Sequence, residues 1–514
     1  MSVFVSMASL QACLMSTPLC ASLSLPRLSL AHPVAHLSRP TLRFFSGDHS
    51  ITMAQSSPMS MPAWVASCAR GRMRFRASLK EDTAIDVGSE SVAARASPRL
   101  MLVSDLDSTM VDHTDKAHAS LLRFNNLWAA EYAHNSLLVF STGRSLEKYT
   151  ELRRQAPLLT PALCIFSVGT EIRYGVTMEP DQDWENYLNQ GWDQAVVLEE
   201  VKRLNLRLQD ESEIRPHKVS CQIDKKDATE IIDTLSRRLK DRGLDVKIIF
   251  SHGLDLDVLP KGAGKGEALA FLLHKMKTEG WAPQETLVCG DSGNDIELFE
   301  VDGVHGVIVG GAMEELKHWY EENGKHNNRL HQAKERCAGG IVEALEELSL
   351  GPYLSPRDRM GPNGIQLSDT ASENGQPKGS GLAQREVVEF NTFFEKWING
   401  EVPNDPETFQ RLTSVIAPGS TMVYPWGVEK NLLESVTDAQ PKHGLTKDKK
   451  FRTWIDCIQE QKLAEGVFMV TWHAWQMSEG AERTGYFATA IFREKEGTPN
   501  GVEWLRVHET PRKS

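Results

Sequence analysis

Short apolar runs alternate with helically spaced stretches through much of this chain, and the places where that rhythm changes divide it. Residues 1–95 carry no periodic apolar pattern. From residue 98 onward five apolar runs, at 102–104, 136–140, 163–168, 287–289 and 303–309, read as buried strands. Residues 117–133 set Leu121, Leu122, Phe124, Leu127 and Trp128 at helical spacing. Strands separated by helices predict an α/β fold with a doubly wound parallel sheet. Four of the runs end in polar clusters: Asp105-Leu106-Asp107, Ser141-Thr142-Gly143-Arg144, Gly169-Thr170-Glu171 and Gly290-Asp291-Ser292-Gly293-Asn294-Asp295. In an open sheet these meet in one crevice at the carboxyl ends of the strands.

Between residues 171 and 260 the rhythm becomes strand (217–223), helix (228–242), strand (244–250) and strand (255–259). The helix lines up Ile231, Ile232, Leu235 and Leu239, and Gly243 ends it. That pattern predicts an α/β cap inserted over the crevice. Residues 351–381 are dense in Pro, Gly, Ser, Asn and Asp and read as a linker. Val387, Phe390, Phe394 and Trp397 then fall at helical spacing before Gly400, and strand-like runs follow at 467–475, 486–492 and 502–508. The expected division is an extension at 1–95, a core at 96–170 and 260–350 with its cap at 171–259, a linker at 351–384, and a separately folding α+β domain at 385–514.

Composition narrows the function. The chain has 514 residues, 25% of them charged, and a net charge of −12, which argues against a nucleic-acid binder. No apolar run has the length of a membrane span. The first 80 residues are basic and acid-poor, with Asp48 as the lone acid. They read as an organelle transit peptide, with an extension carrying no address as the alternative. The eight cysteines form no C-x-x-C pair and read as reduced thiols.

The candidate chemistry lies in the crevice. Asp105 and Asp107, one residue apart after a strand, are expected on one side, where paired carboxylates favour a divalent cation such as Mg²⁺. Thr142 beside Gly143 can hold a phosphoryl oxygen, although the same sequence makes an ordinary turn. Lys265, at a helix N-terminus in Gly262-Ala263-Gly264-Lys265-Gly266, opposes the helix dipole and so calls for an anionic partner. Asp291 and Asp295 in a Gly-rich turn suit a metal site, or else helix capping.

Taken in order, D-x-D-x-T, then Thr, then Lys, then G-D-x-x-x-D resembles the haloacid dehalogenase-like phosphohydrolases. The runs S-D-L-D-S-T-M-V-D-H, F-S-T-G-R-S, G-A-G-K-G and C-G-D-S-G-N-D-I-E-L-F are similar to the sucrose-phosphate phosphatases within that superfamily. F-N-T-F-F-E-K-W-I-N-G-E-V at 390–402 resembles the C-terminal domain of the plant-type members, a cone-shaped fold like nuclear transport factor 2. The resemblance implies Mg²⁺-dependent hydrolysis of sucrose 6F-phosphate, the last step of sucrose biosynthesis, through an aspartyl phosphate. It implies Asp105 as nucleophile, Asp107 as general acid and base, and Thr142 and Lys265 on the phosphoryl oxygens. Asp105, Asp107 (through its backbone carbonyl), Asp291 and Asp295 would serve the metal. Arg144, Glu171, Lys218, Asp255 and Asp257 are candidates for the sugar, each with a surface or cap-core role as its alternative. The family is usually cytoplasmic, whereas the N-terminal segment points to a plastid.

Two alternatives stay open. The substrate could be another sugar phosphate. The C-terminal domain could be a docking module for the sucrose-phosphate synthase, or could form a homodimer, with Trp472, Trp475 and Trp504 at the margin of its sheet or else filling the domain's own core. His473 and His508 leave room in it for an independent site.

Overall fold

The computed structural model describes residues 96–512 apart from 252, 362–363, 366–380, 480 and 482. The expected transit-like segment at 1–95 lies outside them.

The central strand β1 (Leu100–Ser104) is buried along its whole length. Its alternation feeds two apolar layers. Leu100 and Leu102 join the helices on one face, and Met101 and Val103 join those on the other. Chain order continues with β2 (Leu137–Ser141), β3 (Leu163–Phe166), β4 (Glu171–Tyr174), β5 (Glu179–Pro180), β6 (Arg207–Leu208), β7 (Val219–Gln222), β8 (Val246–Ser251), β9 (Asp255–Pro260), β10 (Glu285–Gly290), β11 (His305–Gly310) and β12 (Leu330–Arg336). The main sheet runs β12-β11-β10-β1-β2-β3-β4-β5. It is parallel from β12 to β3 and antiparallel at β4 and β5. Strand order turns back on either side of β1, so the ends of β1, β2 and β10 open onto one crevice.

The cap is an antiparallel sheet, β6-β7-β9-β8, covered by helices Gln194–Arg203 and Ala228–Asp241. Val219, Cys221, Leu256 and Val258 pack against Val197, Val201, Leu235 and Leu239 of the helices. Lys218, Ser220, Asp255, Asp257 and Leu259 therefore occupy the other face of the sheet. Leu259 on that face joins the core's own apolar cluster.

A short hairpin, β13 (Met360–Gly361) with β14 (Gly364–Ile365), precedes the C-terminal region. There β15 (Ile416–Val423), β16 (Glu429–Asn431), β17 (Arg452–Ala464), β18 (Val467–Met477), β19 (Thr484–Glu494) and β20 (Val502–Pro511) form a sheet of order β16-β15-β20-β19-β18-β17. Helix Leu382–Asn399 lies on it with Val387, Phe390, Phe394 and Trp397 buried, and Gly400 ends the helix in the left-handed conformation. The fold is a doubly wound α/β core with an inserted α/β cap, followed by an α+β domain.

The expected C-terminal α+β domain packs against the α/β core, and its aromatic residues lie in buried clusters. Trp472 and Trp504 fill the core of that domain, while Trp454 and Trp475 pack into the apolar cluster of the α/β core. Ala129 and Ala130, from the α/β core, join the C-terminal cluster in turn. Polar ties cross the same seam. Asn126 donates to Thr392 (2.5 Å), Arg385 pairs with Glu131 (2.8 Å) and Thr160 donates to Asp456 (2.7 Å). All described residues fall in one compact unit. No helix among them is long and apolar enough to cross a membrane.

Candidate active site

The chain leaves β1 at Ser104 and turns sharply. Ser108 takes a positive φ of 60°, and the amides of Met110 and Val111 both donate to the Leu106 carbonyl. Past this turn the two carboxylates take different partners while still interacting with each other. Asp105 points into a buried cluster, and Asp107 points out of it. Thr109 ties the turn to the neighbouring strand by donating to Asp291 Oδ1 (2.9 Å).

The inner cluster holds Asp105, Asp291 and Asp295, with one carboxylate oxygen from each within 4.8 Å of the others. Lys265, fully buried, donates to Asp295 Oδ1 (2.7 Å) and lies 3.1 Å from Asp105 Oδ1. Asp295 Oδ2 accepts from the amides of Asp291 and Ser292 (3.1 Å each). Gly290 makes room for this, since a Cβ there would meet the Asp295 side chain at 2.4 Å or more only by displacing it. Lys265 starts its helix beside Gly264. A Cβ on Gly169, whose φ is 88°, would overlap the Gly264 backbone, so this glycine lets the loop after β3 close on the lysine loop. Burial pushes the Asp105 carboxyl up to about 8, even with the Lys265 ammonium pulling it down. Burial disfavours the Lys265 charge, but Asp105 and Asp295 outweigh it and hold its pKa above the ordinary value. The anion expected opposite this lysine is therefore present as two carboxylates of the chain itself.

Asp107 is gripped by Arg144 through Nε (2.6 Å) and Nη2 (2.7 Å), and His113 Nε2 lies 2.6 Å from its Oδ1. Burial raises this carboxyl, yet Arg144 and His113 together bring it below the ordinary range. The Asp107 carboxylate is thus outside the metal-competent cluster, which leaves only its backbone carbonyl for a cation. His113 went unnoticed in the sequence because nothing in D-H-T-D sets it apart from a solvated turn. Thr142 sits buried at the end of β2, where its Oγ1 accepts from the Arg144 amide (3.1 Å).

The sugar-binding candidates divide. Lys218 and Asp257 lie on the cap face away from the cap helices, 3.8 Å apart, and both are buried. Lys218 donates to Glu213 (3.0 Å), which accepts from Ser145 (3.2 Å), the residue after Arg144. This group therefore connects to the crevice. Glu171 instead clasps core to cap, pairing with Arg173 and Arg215 (2.7 Å each), while Arg215 reaches Glu147 (3.2 Å). Asp255 accepts from Gln209 within the cap (2.8 Å). Arg144 is committed to Asp107.

Residues 98–348 match the sucrose-6F-phosphate phosphohydrolase family, and residues 383–513 match the sucrose-6-phosphate phosphohydrolase C-terminal family. Sucrose-phosphatase 2 of Nicotiana tabacum is 49% identical over 80% of this chain and 95% of its own length. The mannosylfructose-phosphate phosphatase of Agrobacterium fabrum is 30% identical over 50% of this chain and 99% of its own length. The crystal structure of the sucrose-phosphatase of Synechocystis with sucrose and phosphate is 36% identical, covers 49% of this chain and 98% of its own, and has a TM-score of 0.44. The identity to the tobacco protein, sustained through both the α/β and the C-terminal regions, makes this chain a member of the sucrose-6F-phosphate phosphohydrolase family and a haloacid dehalogenase-like phosphatase.

Proposed function

We propose that this protein hydrolyses sucrose 6F-phosphate to sucrose and phosphate, with Asp105 as nucleophile. The observation that carries the reading is the pair Asp105–Lys265, buried together at the end of the central strand, in a chain of this family. The Asp105 carboxylate attacks phosphorus in line, the bond from phosphorus to the sugar oxygen breaks, and Asp107 gives that oxygen a proton. Water then attacks the phosphorus, Asp107 takes its proton back, and the bond to Asp105 breaks. Lys265 opposes the burial that favours the protonated form of Asp105. With Thr142 it meets the phosphoryl oxygens, where negative charge spreads in the transition state.

Asp107 begins ionised under Arg144. An incoming phosphoryl group competes for that guanidinium. Once Arg144 turns to it, burial lifts the Asp107 carboxyl toward taking a proton, so Arg144 serves both as a phosphate ligand and as the switch for the acid. Lys218 and Asp257 face the crevice side of the cap and supply a donor and an acceptor for sugar hydroxyls.

Asp105, Asp291 and the Asp107 carbonyl would hold Mg²⁺, with Asp295 fixed behind them by Lys265 and two amides. Three buried carboxylates, two of them raising the pKa of Asp105, with no sulfur or imidazole among them, are a donor set suited to this hard cation. When bound, the ion offsets the negative charge shared by these carboxylates and the phosphoryl group.

Phosphate release from sucrose 6F-phosphate, mannosylfructose phosphate and simple hexose phosphates, each with and without Mg²⁺, tests the reading. We expect the highest kcat/KM for sucrose 6F-phosphate. Equal rates across the panel would defeat the substrate assignment, and no release from any member would defeat the chemistry.

A further inference from the structure

A second buried group of ionisable side chains lies at the seam between the α/β core and the C-terminal sheet. Alternation along β18 sends Phe468, Val470 and Trp472 into the C-terminal core and turns His473 and Trp475 to the opposite face. β17 sets Asp456 opposite His473 and Trp454 opposite Trp475. From the core, helix Leu146–Gln155 contributes Arg153, 3.6 Å from Asp456. Arg483 and Arg512 both lie over Trp475, their guanidinium carbons 4.3 and 4.7 Å from its ring centroid. Arg512 Nη1 also donates to His473 Nδ1 (3.4 Å).

Asp456, Cys457 and His473 place potential ligand atoms within 4.8 Å of one another, as a metal site would. Their surroundings oppose a cation. Among the described residues, three guanidiniums face one carboxylate. The Asp456 oxygens accept from the Thr160 amide and hydroxyl and from the Cys457 amide (2.9, 2.7 and 2.9 Å). Burial, with Asp456 beside it, raises the Cys457 thiol, which keeps its proton and so is no thiolate ligand. Burial likewise holds the His473 ring neutral, its pKa down at about 4. Its Nδ1 lone pair faces Arg512, so the ring proton sits on Nε2.

Most of the polar atoms left over are donors. His473 Nε2, Arg153 Nε, Arg483 Nη1 and Trp475 Nε1 are all buried without a hydrogen-bond partner among the described residues. Buried donors are normally satisfied. The Tyr149 hydroxyl beside them, which can donate or accept, is likewise without a partner among the described residues. Donors in such number, with an excess of guanidinium charge, are the complement of an oxyanion. They come from a helix, a strand and a loop. That spread of directions matches a tetrahedral anion better than a planar carboxylate.

We propose that this seam is an oxyanion-binding site, separate from the catalytic crevice, that takes a phosphoryl group, either free or carried on a sugar, between Arg153, Arg483, Arg512, His473 and Trp475. Its occupant bridges the C-terminal sheet and the helix that begins at Ser145, next to Arg144. The helix is about 15 Å long, so the site lies one helix length from the crevice.

Equilibrium dialysis of the full chain against radiolabelled inorganic phosphate tests this. The Arg483→Gln, Arg512→Gln double variant should bind one equivalent fewer than the wild type while still releasing phosphate from substrate. The Trp475→Phe variant keeps the packing and loses only the N–H, and should weaken that equivalent by about five- to tenfold. The same measurement on the full-length Asp105→Asn chain, with sucrose 6F-phosphate in place of phosphate, distinguishes a sugar-borne phosphoryl group from the free ion, according to which binds tighter at the site these variants remove. Phosphate stoichiometry and affinity unchanged in both the double variant and Trp475→Phe would overturn the proposal. So would one equivalent of Zn²⁺ bound by the wild type and lost in Cys457→Ser.

Discussion

The crevice and the seam each gather four charged groups, with opposite sign: those of the crevice are buried, whereas at the seam Asp456 is buried and its three arginines are partly so. In the crevice Asp105, Asp291 and Asp295 share the ammonium of Lys265. At the seam Arg153, Arg483 and Arg512 share the carboxylate of Asp456. Two other buried pairs show what a closed arrangement looks like. Arg411 grips Glu386 with two bonds of 3.0 Å, and Arg357 grips Glu395 at 2.8 and 2.9 Å. There each guanidinium meets a carboxylate in a bidentate fork, with only its Nε left without a partner among the described residues. An unbalanced buried cluster carries a desolvation cost that its own members cannot offset. The proposed ions, a cation in the crevice and an anion at the seam, would offset that imbalance.

The largest expected effect is at the centre of the crevice. Asp105→Asn removes the nucleophile while keeping shape, so phosphate release should fall to background with an unchanged circular dichroism spectrum. Substantial turnover by that variant would break the assignment of the crevice as the reacting site. Next comes the cation. Exhaustive chelation should abolish activity and Mg²⁺ restore it. Ca²⁺ should inhibit, because its larger, looser coordination misaligns nucleophile and phosphorus. Full activity after chelation would mean that the acidic cluster is as closed as the balanced pairs.

Those pairs provide the third test. Glu395→Gln strips one partner from a fully buried fork and should cost about 3–5 kcal/mol of stability, read by urea unfolding. The kcat of the folded fraction should stay near that of the wild type. The smallest effect is at the seam. Burial depresses His473 from 6.5 to about 4, so between those values the unfolded chain binds a proton that the folded chain refuses. Stability from this group is complete above pH 6.5 and is lost as pH falls toward 4, on the order of 3 kcal/mol in total. Unfolding free energies of wild type and His473→Gln across that window should converge as pH falls. Parallel curves would place His473 outside the buried cluster.

Much of the crevice was legible in the chain because its parts are local. Asp105, Thr142 and Asp291 each follow an apolar run, and Lys265 opens a periodic helix, so pattern alone places them at strand ends and a helix start. The partners of the Asp107 carboxylate were not legible, because alternation stops where β1 stops, at Ser104, and the turn through Ser108 is stabilised by backbone bonds that side-chain periodicity does not report. β17 escaped notice for a related reason. Its second half is polar and exposed, and a bulge between Asp456 and Gln459, with Cys457 at a φ of 49°, interrupts its alternation.

The sequence by itself determined which residues would be buried and on which face of their own element: Leu102 and Val103 in a strand core, Leu235 and Leu239 on one side of a cap helix, Phe390 and Trp397 beneath a sheet. Periodicity carries that information because a strand repeats every two residues and a helix every 3.6. Only the tertiary structure decided what those faces meet. Trp472 and Trp475 look alike in sequence, yet one fills the C-terminal core and the other crosses to the α/β core. Arg153 and Asp456, or Lys265 and Asp105, approach only when elements distant in the chain pack together. The sign of a buried cluster is a sum over such elements, and so it exists only in the folded molecule.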